Sequence, residues 1–192
     1  LVHARDLLGY VFGRFFTPMA IAGEIVINAE RRFEFLRWFC IVEEMVRLAT
    51  PEDAARLAVP AVRDRIAYTA GVTDVSTTAS EAWASMHGVC QDFAHATLSL
   101  LRAARIPARY VSGYLHTEEQ ASGLTVVGES HAWVEYWDGQ WQAVDPTNDR
   151  AVGSAHVIVA RGRDYADVPP LKGIYAGGHS EALGVSVEIT QL

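Results

Sequence analysis

The sequence predicts an α+β domain built on an antiparallel sheet. Apolar residues recur at helical spacing as far as Ala104. From Arg109 onward the pattern changes to short alternating segments punctuated by Gly, Asp and Asn. Helices therefore come first and strands later, without the βα alternation of a parallel sheet.

Taken in order, residues 1–28 resist assignment because Gly9, Gly13, Pro18 and Gly23 break any period. Asn28 is placed to cap a helix running to about Ala49, with Phe33, Leu36, Cys40, Glu43 and Val46 stepping round it. Trp38, Phe39, Ile41 and Val42 make that helix apolar on more than one side, so it should be well buried or face a partner. Cys40 reads as core. Thr50-Pro51-Glu52-Asp53 is a sharp helix start: a capping hydroxyl, a proline in the first turn, and acids near the positive end of the dipole. This helix is expected to reach about Tyr68. Residues 71–77 form a loop, and Thr78-Ala79-Ser80-Glu81 has capping-box spacing for a short helix through Trp83. After Gly88 a helix begins near Cys90, with Phe93, Thr97, Leu100, Leu101 and Ala104 on one stripe, and ends before Ile106-Pro107. Strands are predicted at Arg109–Leu115, weakly between Gly123 and Gly128, at Ser130–Trp137, Trp141–Asp145 and Val157–Ala160, and at Leu183–Leu192.

Composition narrows the function classes. The 192 residues are half apolar and 20% charged, enough for one domain with a real core and unlike a disordered chain. The net charge is −7, and Lys172 is the sole lysine, so no nucleic-acid surface is expected. Residues 7–27 are apolar but broken by Arg14, Pro18 and Glu24, a poor membrane span. The two cysteines, Cys40 and Cys90, lie in unlike contexts; a disulfide scaffold is not indicated, and a reducing, cytoplasmic setting is the simpler expectation. No nucleotide fingerprint, P-loop or EF-hand loop is present, and no cofactor is expected.

Three residues carry the chemistry. Cys90 falls at a helix start, where unpaired N–H groups and the dipole favour a thiolate and can cradle an oxyanion. His131 lies on a strand and shares a face with Trp133 and Glu135; Asp145 ends the next strand. Hairpin register then makes a demand. A two-residue Asp138-Gly139 loop pairs Ala132 with Asp145 and sends His131 to the other face. A three-residue Trp137-Asp138-Gly139 loop with Gly139 in the left-handed region pairs His131 directly with Asp145, so this second register is expected. Gln91 and Trp133 are the candidate substrate contacts; their plainer readings are a solvated first-turn residue and a core wall. His87, Cys90, His95 and His131 are the competing metal constellation. No second CxxC or HxxxH supports it, so no metal is expected, and His95 is read as a buried helix residue bonded to a backbone carbonyl.

Gly88-Val89-Cys90-Gln91-Asp92-Phe93-Ala94-His95, Ile106 to Tyr114, Ser130-His131-Ala132-Trp133-Val134-Glu135, Val144-Asp145-Pro146-Thr147 and Arg163 to Pro170 together resemble the bacterial transglutaminase-like superfamily. The resemblance covers about residues 50–192. It implies a papain-like α+β core with a thiol-bearing helix packed on an antiparallel sheet. It also implies Cys90 as nucleophile, His131 as general base and acid, and Asp145 as the residue that orients it. The chain departs from the family pattern in two places: residues 1–49 look helical where a β-rich segment is common, and His87 stands where small residues are usual.

The expected organisation is a helical segment, 1–49, packed on a catalytic core, 50–192. The expected function is cysteine-dependent acyl transfer on peptide or side-chain amides through a thioester, hydrolysis favoured over amine transfer, with a peptide or protein substrate. Self-association through the N-terminal helices is the one assembly the pattern suggests. The alternative is a non-catalytic binding or scaffold domain that retains the fold.

Overall fold

The computed structural model describes residues 29–116, 125–169 and 186–190. The Asn28 cap, the segment before it, and positions 183–185 and 191–192 of the expected closing strand lie outside the described residues.

The helical layer comes first. Helix α1 (Ala29–Arg47) buries Val42 and Met45 in the core and packs Trp38 and Ile41 against it. This is not the stripe expected. Leu36 and Val46 are 57% and 47% exposed, and Cys40 lies on the solvent side. A helix apolar all round gives no unique face from spacing alone, and here Trp38, Ile41, Val42 and Met45 form the buried i, i+3, i+4, i+7 set. Helix α2 (Pro51–Arg65) is capped as expected, with the Asp53 amide donating to Thr50 Oγ1 at 3.1 Å. It stops short of Tyr68. Ile66 turns extended, and strand β1 (Ala67–Tyr68) pairs in parallel with β2 (His87–Gly88). Between them lies α3 (Ala79–Ser85), opened by the Thr78/Glu81 capping box and closed by Met86 in the left-handed region at φ 63°. Tertiary pairing thus overrides the helix and pins the segment that leads into Cys90.

Helix α4 (Cys90–Ala103) is the spine of the core. Phe93, Thr97, Leu100 and Leu101 are buried as expected, and so are Ala94, Ala96, Leu98 and Ala103, because neighbours enclose this helix on several sides.

The main sheet has the order β7-β6-β5-β3-β8, antiparallel throughout. Its strands are β3 (Ala108–Leu115), β5 (Glu129–Trp137), β6 (Trp141–Asp145), β7 (Arg150–Ala151) and β8 (His156–Gly162). A separate pair joins β4 (Thr125–Val127) to β9 (Glu188–Thr190). Ala132, Val134 and Tyr136 from one face of β5 join the helices in the core. Alternation puts His131, Trp133 and Glu135 on the other face. The β3–β8 register shifts between Ser112 and Gly113, where β8 carries Val159 as an extra residue. There a Cβ on Gly113 would lie 2.1 Å from the Val157 carbonyl and 2.6 Å from the Trp133 ring. Only glycine lets β8 and the Trp133 indole close on this point.

The β5–β6 hairpin adopts neither register considered above. Trp137 pairs with Trp141 and Val134 with Val144, so the loop is Asp138-Gly139-Gln140, with Gly139 at φ 75°. One step further along, Asp145 faces Trp133, not His131. This differs by two residues from the pairing expected, and a shift of two preserves the face. His131 and Asp145 are therefore diagonal neighbours on one side of the sheet, a separation that a ring and a carboxylate can bridge.

Candidate active site

The site is assembled from the start of α4 and from β5, β6 and β8. Cys90 is the first residue of α4, half-buried, and follows Val89 in extended conformation. Helix geometry leaves the Cys90 and Gln91 N–H groups without i−4 partners, while the Asp92 amide already donates to the Val89 carbonyl at 2.8 Å. Asp92 fixes this turn. Its side chain is fully buried, and Oδ2 accepts from the Val89 amide at 2.8 Å and from Thr73 Oγ1 at 2.6 Å. A Cβ at Gly88 would fall 2.6 Å from Asp92 Cβ and 2.8 Å from Oδ2, which explains the glycine two residues before the thiol. Gln91 is also buried, and its Nε2 donates to the Asp74 carbonyl at 3.2 Å. Gln91 is therefore not a solvated first-turn residue: with Asp92 it ties the 69–77 loop to the helix start. Tyr110 is buried nearby, and burial, then Cys90, Tyr165 and Asp92, hold its hydroxyl far above the ordinary phenol range.

His131 and Asp145 meet. Nε2 of His131 lies 2.8 Å from Asp145 Oδ2, and both side chains are buried. Burial disfavours the protonated ring. The hydrogen bond and charge of Asp145, together with Cys90, outweigh it and raise the imidazole to about 9. Burial likewise opposes the Asp145 carboxylate, but bonds from His131, His156 and Asn148 hold it below the usual carboxylate range. Its other oxygen accepts the amides of Thr147 and Asn148 at 3.0 and 3.3 Å. Asp145 therefore both shapes the turn at Pro146 and faces the histidine. Trp133, expected as a substrate contact, has no exposed surface; it stacks behind the His131 ring at 6.1 Å.

Of the remaining histidines, His95 bonds differently from the expectation. Its Nε2 accepts the Tyr165 amide at 3.2 Å, and burial lowers its affinity for a proton, as that acceptor role requires. His87 sits on β2, exposed, with Nδ1 3.0 Å from Thr69 Oγ1. Sequence reasoning missed His156, whose Nε2 lies 3.3 Å from the same Asp145 oxygen, and Asn148, whose Nδ2 donates to it at 2.8 Å. No local signal points to His156; only the β3–β8 pairing carries it there. Among the described residues, His131, Asp145 and His156 place ligand atoms within 4.8 Å of one another, the one set with that spacing. Three donors already converge on Oδ2, with the Arg150 guanidinium 3.8 Å away. That environment suits a shared hydrogen-bonded carboxylate better than a dication.

A thiol-bearing helix packed on an antiparallel sheet that carries a buried imidazole–carboxylate pair is a papain-like arrangement. The model of the transglutaminase-like superfamily matches residues 41–146, and the chain belongs to that superfamily. It is 48% identical over 143 residues to an uncharacterised protein of Mycobacterium leprae, covering 74% of this chain and 51% of that one. It is similar to the crystal structure of a candidate cysteine protease from Cytophaga hutchinsonii, with TM-score 0.59 and 27% identity over 71% of this chain and 45% of that one. A stretch of 65 residues, 31% of this chain, is 46% identical to 10% of a protein-glutamine gamma-glutamyltransferase of Pseudomonas aeruginosa. The chain spans about half the length of the mycobacterial relatives it matches.

Proposed function

We propose that this protein is a cysteine-dependent acyl-transfer enzyme acting on peptide or side-chain amides. Cys90 is the nucleophile, His131 the proton carrier and Asp145 its anchor. The observation that carries the reading is the buried pair of His131 Nε2 and Asp145 Oδ2 at 2.8 Å, on a sheet against which the helix that begins at Cys90 packs.

The chemistry follows from that placement. Sulfur attacks the amide carbonyl, and the first-turn N–H groups of α4 stabilise the oxyanion. With Nε2 committed to Asp145, Nδ1 is the nitrogen left to exchange protons. It gives its proton to the leaving amine as the C–N bond breaks and the thioester forms. The neutral ring then takes a proton from water, whose oxygen attacks the thioester; the C–S bond breaks, the acid leaves, and the thiolate and protonated ring are restored. An amine in place of water makes the reaction a transfer. We favour hydrolysis, supported by the similarity to the Cytophaga hutchinsonii structure over most of this chain.

The test is intact-protein mass spectrometry with a panel of amide substrates, with and without a primary amine. An acyl adduct on Cys90 that water resolves is the expected result, with adduct and turnover both lost in Cys90→Ala. Full amidase activity in Cys90→Ala would overturn the reading.

A further inference from the structure

His156 is buried, titratable and unused by the mechanism above. Its side chain is 1% exposed, and its ring stands edge-on to Trp133 at 5.2 Å. Two contacts define its tautomer. The Gly153 amide donates to Nδ1 at 3.3 Å, so Nδ1 is an acceptor. The ring proton therefore sits on Nε2, which points at Asp145 Oδ2 from 3.3 Å. That oxygen is the one that holds His131 at 2.8 Å. One carboxylate oxygen thus serves two imidazoles, as well as the Asn148 amide at 2.8 Å.

Donors that share an acceptor weaken one another, because each draws on the same lone-pair density and their positive ends repel. Among the described residues, the other ionisable groups acting on the pair are Cys90 from α4 and Arg150 from β7, whose Nε is 3.8 Å from Oδ2. Asp145 does not need His156 for orientation, since Asn148 and the turn amides already fix both oxygens.

We propose that His156 is a positioning residue that, by donating to the oxygen His131 uses, loosens the carboxylate's hold on that imidazole so its proton can pass to the leaving amine. The step is the one written above: the proton moves from His131 Nδ1 to the departing nitrogen while the C–N bond breaks. This role rests on the proposed acyl-transfer function. A ring held too tightly by Asp145 is a poorer acid, and amide leaving groups suffer most because they need the proton.

The test is NMR of the imidazoles in the full chain, with kinetics beside it. In the wild type, ¹⁵N shifts should show His156 with Nε2 protonated and Nδ1 bare; the opposite tautomer overturns the proposal whatever the variants do. In His156→Phe, which keeps a ring against Trp133 but no donor, the His131 titration midpoint should rise by about 0.5–1 pH unit, the worth of one neutral hydrogen bond. The ratio of amide to activated-ester turnover should fall by about tenfold. His156→Gln, which restores an N–H at similar reach, should return both toward wild type. A midpoint in His156→Phe that is unmoved or lower, as a merely structural role would give, overturns the proposal. Absence of turnover in the wild type would sink the acyl-transfer reading alone, because the His131 midpoint still decides whether the oxygen is shared.

Discussion

At the scale of single residues, the protonation of His131 would set the working range of the proposed reaction. The ring's ordinary value is 6.5, and its two partners raise it to about 9. An attacking thiolate paired with an imidazolium is present only while that ring keeps its proton. Activity should therefore fall as pH rises through about 9, measured as kcat/KM against pH. Asp145→Asn removes the negative charge that holds the proton. It should lower kcat by about a hundredfold or more and bring the upper limb of the profile down toward the ordinary imidazole range. A profile that stays fixed in Asp145→Asn would mean that another group sets the limb.

At the scale of elements, the start of α4 depends on what surrounds it. The parallel β1–β2 pairing holds Gly88 in place through the Thr69 amide on its carbonyl at 2.9 Å. Asp92 then clamps the turn from inside. Gly88→Ala drives a methyl into that carboxylate. The expected cost is about 1–3 kcal/mol of stability, read by denaturant unfolding. The loss of turnover should be larger than the loss of folded protein, because displaced Asp92 releases the Val89 amide that sets the Cys90 backbone. The hairpin teaches the complementary lesson. Its loop slid by one position on each side, moving the pairing by two, yet the face of Asp145 was kept. Parity, not the particular partner, is what the imidazole–carboxylate bond requires of the sheet.

At the scale of the whole molecule, the same buried pair links stability to pH. His131 is raised above its unfolded value of 6.5, so its contribution is fully present below that pH and is lost as pH rises through about 9. Asp145 is depressed below its unfolded value of 3.8, so its contribution is present above that pH and is lost as pH falls toward the folded value. The His131–Asp145 bond contributes to both shifts, and that shared part counts once. Thermal unfolding should show its highest Tm between these limits, with a decline from neutral pH toward pH 9 and beyond. The alkaline decline should flatten in Asp145→Asn, as followed by calorimetry across pH.

What the sequence determined by itself was the order of elements and the candidate side chains for the proposed chemistry. Helix caps at Thr50 and Thr78, the break at Gly88 and the alternation of β5 are local signals, and local geometry expresses them directly. The closeness of His131 and Asp145 was legible because strand alternation and hairpin parity put them on one face. The tertiary structure alone decided which side of α1 is buried, that α2 yields its last residues to a strand, and that Gln91, Asp92 and Trp133 are enclosed rather than exposed. It also delivered His156 to Asp145 across the sheet. These outcomes turn on contacts between segments far apart in the chain, where packing energy outweighs local preference and spacing along the sequence carries no record of the partner.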